Sequence, residues 1–331
     1  VANIPGTAVD RDRRIGPGWI ALGVAISGFV LLQALMLGRV INPYLQAIVC
    51  YAGIMAVSAL GLNLVYGYTG QFSLGHAAFY GIGAYASALV TRALGCGFWV
   101  LPVGIATGAL LAGVLALGVG LPILRLKSDY LGIATLGFGM IMNVLFKNSD
   151  KLIPVMGGSC GMRGIGKLTS FAWVFLIALA AILALRNLVF SGIGRALMSI
   201  REDELAAEAV GVNATRYKTL GFVIGCMYAG VAGALYAHLY SYLSPDNFDF
   251  LKSIDVLLIV VLGGLGSMSG TVVAAVAWVF LLEGLRIVLP PAVQDWRMVV
   301  YPLLLVIFML LRPGGIFGGA EFGFMKPREG R

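Results

Sequence analysis

The stretch YGYTGQFSLGHAAFYGIGAY, Tyr66–Tyr85, decides how this chain is built. Long apolar runs flank it, yet it is dense in glycine and carries Gln71, Ser73 and His76. Two physical explanations fit. It is a short turn outside a bilayer, with Ser73 capping the helix that follows. Or it is irregular backbone at membrane depth, which is tolerated only where protein or a water-filled cavity covers it. Under either explanation the flanking runs cross a membrane.

The rest of the chain agrees. Of its 331 residues, 60% are hydrophobic and 11% charged, and the mean hydropathy is +0.94. Soluble domains carry about 25% charged residues. The net charge of +8 fits basic loops that orient a membrane chain. Few aromatic–basic clusters accompany it, which argues against a nucleic-acid partner. A helical span needs about 20 apolar residues, and that ruler marks ten segments: 19–37, 44–65, 74–91, 98–121, 130–146, 171–189, 219–240, 254–265, 269–289 and 297–311. The expectation is an all-α polytopic membrane protein. Segment 254–265 is too short to span comfortably, and glycines end it. Trp19–Leu37 exceeds the roughly 7–15 apolar residues of a signal peptide, so it reads as a retained span. The numbering opens on Val1, which leaves residues before it open.

Alternating sides from a cytoplasmic N-terminus puts 14 of the 23 Lys and Arg residues inside, including Arg195, Arg201, Arg216 and Lys218. Both termini are therefore expected in the cytoplasm. The domain reading is a tail over 1–18, one transmembrane domain over 19–311 and a second tail over 312–331. Lys147, Lys151, Arg163 and Lys167 fall in one longer outer loop. Cys160 falls in that loop too, and Cys96 in another loop on the same outer side, so a disulfide is open there, although unpaired thiols are the default expectation for the four cysteines, Cys50, Cys96, Cys160 and Cys226. Their separation rules out metal-type spacing.

An internal repeat accompanies the glycines. LVYGYTGQFS (Leu64–Ser73) and VVLGGLGSMS (Val260–Ser269) align at an offset of 196, matching Gly67, Gly70 and Ser73 to Gly263, Gly266 and Ser269. Paired broken helices of this kind line the path in duplicated transporter cores. Gly67, Gly70, Gln71, Ser73, His76, Gly263, Gly266 and Ser269 are thus candidates for a translocation path or hinge.

The longest charged block is GRALMSIREDELAAEAVGVNATRYK, Gly194–Lys218, within a polar loop over about 190–218. Arg201, Glu204 and Glu208 fall at i, i+3 and i+7, and Leu205, Ala209 and Val212 at i, i+4 and i+7. One helix with a charged and a mildly apolar face is expected over Ser199–Asn213, ended by Gly211. It is either a solvated loop helix or a docking helix for a cytoplasmic partner.

Here the sequence resembles a family. EDELAAEAVGVN is similar to the coupling loop of bacterial ABC-importer permeases, with Glu208, Ala209 and Gly211 at its core. The stretch Gly61–Leu89 resembles the signature of branched-chain amino-acid permeases of the LivM type. So do DYLGIATLGFGMI (Asp129–Ile141), VVLGGLGSMSGTVVAA (Val260–Ala275) and RPGGIFG (Arg312–Gly318). The chain departs from the family's pattern at Met140, where an acidic residue is frequent, and at Cys226 and Met227. The resemblance implies a permease subunit in a bacterial inner membrane. It would pair with a second related permease, two cytoplasmic ATPases and a periplasmic solute-binding protein. Arg201, Glu202, Asp203, Glu204, Glu208, Ala209 and Gly211 would carry ATPase coupling. Branched-chain amino acids are the favoured solute, with urea or another small solute as the alternative.

No catalytic site, metal or cofactor is expected. GMRGIGKL (Gly161–Leu168) imitates a phosphate loop but has Leu168 where Ser or Thr must reach magnesium. GIGAYA (Gly81–Ala86) has no strand before it and reads as helix packing. An ion-coupled transporter would need buried ionisable residues, of which His76 and Glu283 are the main ones. Asn63 and Asn143 are expected to bridge helices, and Glu283 and Arg286 to pair near the outer end of a span. Asp246, Asp249 and Asp255 are assigned to an outer loop.

Overall fold

In the computed structural model, the described residues are 42–288, apart from 96, 98, 125–127 and 152, with isolated positions at 27, 28, 32, 33, 36, 38, 303, 306, 307, 310, 314–316 and 321. Most of the expected spans 19–37 and 297–311, the 1–18 tail, Cys96, Arg125 and Lys127 lie outside them.

Among the described residues ten α-helices follow one another. They are α1 (Pro43–Leu62), α2 (His76–Leu94), α3 (Val100–Ile123), α4 (Ser128–Lys147), α5 (Phe171–Val189), α6 (Gly192–Glu202), α7 (Glu204–Ala209), α8 (Ala214–Tyr240), α9 (Phe250–Gly263) and α10 (Met268–Val288). The α1 helix runs on as a π-helical turn, Asn63–Tyr68. Among the described residues six stretches are long and apolar enough to cross a membrane: Pro43–Tyr68, Val100–Ile123, Tyr130–Lys147, Phe171–Val189, Ala214–Tyr240 and Met268–Arg286. The chain is all-α and polytopic. The 14 residues of α9 fall short of a span, as its length in sequence led one to expect.

Small residues hold the centre together. Lipid tails are as apolar as leucine, so membrane helices associate through close packing rather than hydrophobic burial. On α3 the positions Gly104, Gly108, Ala112, Ala116 and Gly120 recur every four residues and face inward. Leu110, Val114, Leu117 and Leu121 on its other side are 46–65% exposed. Gly108 meets α2, and a Cβ there would stand 2.8 Å from the Gly83 carbonyl oxygen. A Cβ at Gly230 of α8 would stand 2.7 Å from the carbonyl oxygen of Gly108. The α1 and α8 helices touch the same way, a Cβ at Gly61 reaching 2.5 Å from the Gly225 oxygen.

The opening stretch is irregular backbone covered by protein. From Thr69 to Gly75 the chain leaves the helical conformation, with Gly70 at φ 74°. It climbs back alongside α1 until His76 Nε2 lies 2.9 Å from the Ser58 carbonyl oxygen. Ser58 precedes Tyr68 by ten residues, about 15 Å of helix. Thus α2 begins partway along its neighbour, not at its end. Thr135 of α4 accepts the Leu74 amide through Oγ1 at 3.0 Å. Gln71, Ser73 and His76 are all buried. Ser73 does not cap α2, whose N-cap is Gly75 without a side-chain bond.

The opposite end carries the long loop between α4 and α5. Met162–Arg163 (β1) pairs antiparallel with Tyr242–Leu243 (β2), Met162 opposite Leu243. Lys147 bridges to Asp246 at 2.9 Å. From there Pro245–Phe248 turns inward, with Asn143 Nδ2 donating to the Pro245 carbonyl at 2.8 Å. Asp249 caps α9 by accepting the Phe250 amide. Asp255 belongs to α9 itself, not to a loop: the helix starts four residues before the apolar run visible in sequence. Cys160 is exposed and unpaired among the described residues.

Candidate functional site: the glycine junction and the charged loop

The two glycine-rich segments meet. Asn63, on the π-turn, donates through Nδ2 to the Ser267 carbonyl and to Thr271 Oγ1, both at 3.0 Å. Its Oδ1 accepts the Gly266 amide at 2.9 Å. One buried side chain thereby satisfies backbone groups freed where α9 gives way to α10. A Cβ on Gly67 would stand 2.6 Å from the Gly266 nitrogen, so glycine is needed for the approach. The repeat positions also share conformation: Gly70 has φ 74° and Gly266 φ 81°. Both lie in the left-handed region that favours glycine. Gly263 abuts Gly270 across the turn.

The charged loop folds as two short helices, not one. Ser191 caps α6 by accepting the Ile193 and Gly194 amides, and Leu197 and Ile200 bury its inner face. At Asp203 the backbone becomes extended (φ −155°), and its carboxylate caps α7 by accepting the Leu205 and Ala206 amides at 2.9 and 3.1 Å. An Asp at that position competes with helix continuation by binding backbone ahead of it. Arg201, Glu204 and Glu208 therefore do not share a face. Gly211, at φ 88°, ends α7 as expected, and Asn213 caps α8 through the Arg216 amide. Glu204 pairs with Lys218 at 2.5 Å. Glu202, Glu208 and Ala209 are exposed, as are Leu205 at 78% and Val210 at 80%.

Arg201 turns the other way. Its Nη1 donates to the Gly67 carbonyl at 2.5 Å. A Cβ on Gly266 would come 3.0 Å from that same nitrogen, and one on Gly70 3.3 Å from Arg201 Cγ. The end of α6 thus touches both glycine turns, and Gly67, Gly70, Gly266 and Arg201 converge. Gln71 lies close by in sequence, with neither amide atom partnered among the described residues. His76 lies apart, at the start of α2.

Glu321 completes the junction, and nothing in the sequence marks it. Its carboxylate accepts the Met268 and Ser269 amides at 2.5 and 3.2 Å and binds the Ser269 hydroxyl. The Tyr68 hydroxyl is 3.5 Å away. An anion there meets the unpaired amides and positive dipole end of α10. The Ile316 amide donates to the Leu262 carbonyl at 2.8 Å, and Gly315 packs on Gly264. Part of the expected 312–331 tail is therefore built onto the α9–α10 turn. Among the described residues no group of His, Cys, Asp and Glu could hold a metal.

Comparison with known proteins gives the site a context. Residues 44–309 match a family described as branched-chain amino acid transport system / permease component. The chain is 33% identical to the permease protein LivM of Salmonella typhimurium, over 89% of this chain and 76% of that protein. It is 32% identical to LivM of Escherichia coli over the same shares. It is 28% identical to LivH of Escherichia coli, over 80% of this chain and 92% of that protein. The names of these relatives describe permeases of high-affinity branched-chain amino acid transport systems. No solved structure matches the chain.

Proposed function

This chain belongs to the family of branched-chain amino acid transport permease components, and from that premise we infer that it is the LivM-type half of an ABC importer. It carries branched-chain amino acids across a bacterial inner membrane. A second, related permease completes the translocation unit, two cytoplasmic ATPases drive it, and a periplasmic binding protein delivers the solute. The chain crosses the membrane about ten times with both termini in the cytoplasm. ATP hydrolysis resides on the partners.

The observation that carries this reading is the position of α6 and α7. They present Leu205, Glu208 and Val210 outward while Arg201 binds Gly67 at the meeting point of the two glycine turns. A partner that grips the outer face can shift α6. Arg201 then transmits the shift to backbone already outside regular helix. Such coupling needs two arrangements of one element, whose balance the bound nucleotide alters.

Gentle detergent extraction of this chain from its native membrane, followed by mass spectrometry of what accompanies it, tests the assignment. Recovery of a second permease and two ATPases is the expected result. A chain recovered alone or as a homodimer would overturn it.

A further inference from the structure

A charged pair sits within the membrane domain. Lys252 and Asp255 lie one turn apart on α9, Nζ to Oδ2 3.5 Å, with side chains only 18% and 33% exposed. The Lys252 ammonium also binds the Tyr51 hydroxyl and stands 5.1 Å over that ring. Tyr51 lies eight residues into α1, about 12 Å from its start, within the span Pro43–Tyr68. Ionisable groups inside a membrane domain are expensive to keep and mark functional sites.

Tyr51 touches the pair, and three further tyrosines continue from it. Tyr236 and Tyr240 lie with ring centroids 6.1 Å from Tyr51, and Tyr80 lies 5.6 Å from Tyr236. Tyr80 is 2% exposed, yet its hydroxyl has no hydrogen-bond partner among the described residues. A buried phenol normally finds one. The cluster opens at the subunit surface through Tyr240, which is 45% exposed. Glu283, near the end of α10, is held by Tyr44 at 2.6 Å and by Arg286 at 3.6 Å.

We propose that Lys252, Asp255 and the tyrosines Tyr51, Tyr80, Tyr236 and Tyr240 form a transient binding site for an amino-acid zwitterion. The ammonium of Lys252 meets the solute carboxylate, and the carboxylate of Asp255 meets its α-ammonium. The Tyr80 hydroxyl supplies a further bond, and the tyrosine rings cover an aliphatic side chain. With no solute present the two charges compensate each other. A solute carrying both charges can replace that internal pairing without leaving either one bare, whereas a singly charged solute cannot. This rests on the importer reading above and names where its solute would pause.

The test is ATP-driven uptake of radiolabelled leucine by the complete transporter in proteoliposomes. Tyr80→Phe, Lys252→Met and Asp255→Asn are compared with wild type at equal assembly with the partner subunits. Tyr80→Phe is decisive, because it preserves the ring and removes a hydroxyl that bonds nothing among the described residues. A packing role would leave its uptake unchanged, so a fall of threefold or more is expected from loss of a solute contact. Lys252→Met should lower uptake at least tenfold while binding-protein-stimulated ATPase activity persists. If the Lys252 and Asp255 variants fail to assemble, Tyr80→Phe alone decides. Unchanged uptake by Tyr80→Phe would overturn the site. Wild-type vesicles that take up no amino acid would overturn the importer reading instead.

Discussion

Arg201 Nη1 lies 2.5 Å from the carbonyl oxygen of Gly67, joining the charged loop to the glycine turn 134 residues earlier. The contact is specific in geometry. Gly67 needs no side chain because Gly266 approaches it, and its carbonyl is available because the π-turn has displaced the ordinary helical ladder. A charge-assisted bond to backbone of this kind contributes about 1.5–3 kcal/mol.

Arg201→Met removes that bond and keeps most of the aliphatic stem. Solute uptake should fall roughly tenfold while the ATPases still bind. Uptake and pull-down measured on the same membranes check this. Uptake equal to wild type would detach α6 from the glycine turns.

Gly266→Ala forces an L-residue to φ 81° and places a methyl beside Arg201. The backbone term alone is about 1–2 kcal/mol. Thermal unfolding in detergent should show lower stability, with transport impaired at temperatures where the protein remains folded. Gly70→Val should impair transport in the same way; unaltered transport would make that turn a passive one.

Asn63→Leu keeps side-chain volume but orphans the Gly266 amide and strips the Ser267–Thr271 turn of a donor. Each unsatisfied buried group costs about 1–3 kcal/mol, and the outcome should be severe loss of folded protein, read as size-exclusion recovery. Asn63→Asp should fare similarly, because two of its three bonds need an N–H donor.

Glu321→Gln retains shape and withdraws the charge that faces the start of α10. The helix-end interaction is about 0.3–2 kcal/mol. A small drop in thermal stability is expected, with Glu321→Ala lower still. Equal midpoints for all three proteins would contradict the capping role.

Glu208→Lys alters an exposed residue with no described ion pair on the outer face of α7. Stability should stay within about 0.5 kcal/mol, as for surface changes generally. ATPase recovery in the pull-down and uptake should both drop. Full retention of both would remove Glu208 from the docking surface.

Much of this could be read in the sequence because it depends on length and periodicity. Runs of twenty apolar residues are hard to hide, and Phe171–Val189 was delimited to the residue. The glycine repeat was legible because the left-handed turns at Gly70 and Gly266 narrow the choice of residue. What escaped depends on long-range contact. Arg201 looked like the neighbour of Glu204 until Asp203 turned the chain. Glu321 lies 53 residues from the amide it caps. Lys252 stands just before an apolar run, where a charge normally marks a helix end in water. Only Tyr51, 201 residues away, shows that it is enclosed.

The most direct measurement is leucine uptake into proteoliposomes that contain this chain, its paired permease and the two ATPases, with loaded binding protein outside. The expected result is uptake that requires ATP on the ATPase side and fails with Arg201→Met. Uptake that follows an ion gradient and ignores ATP would contradict the account.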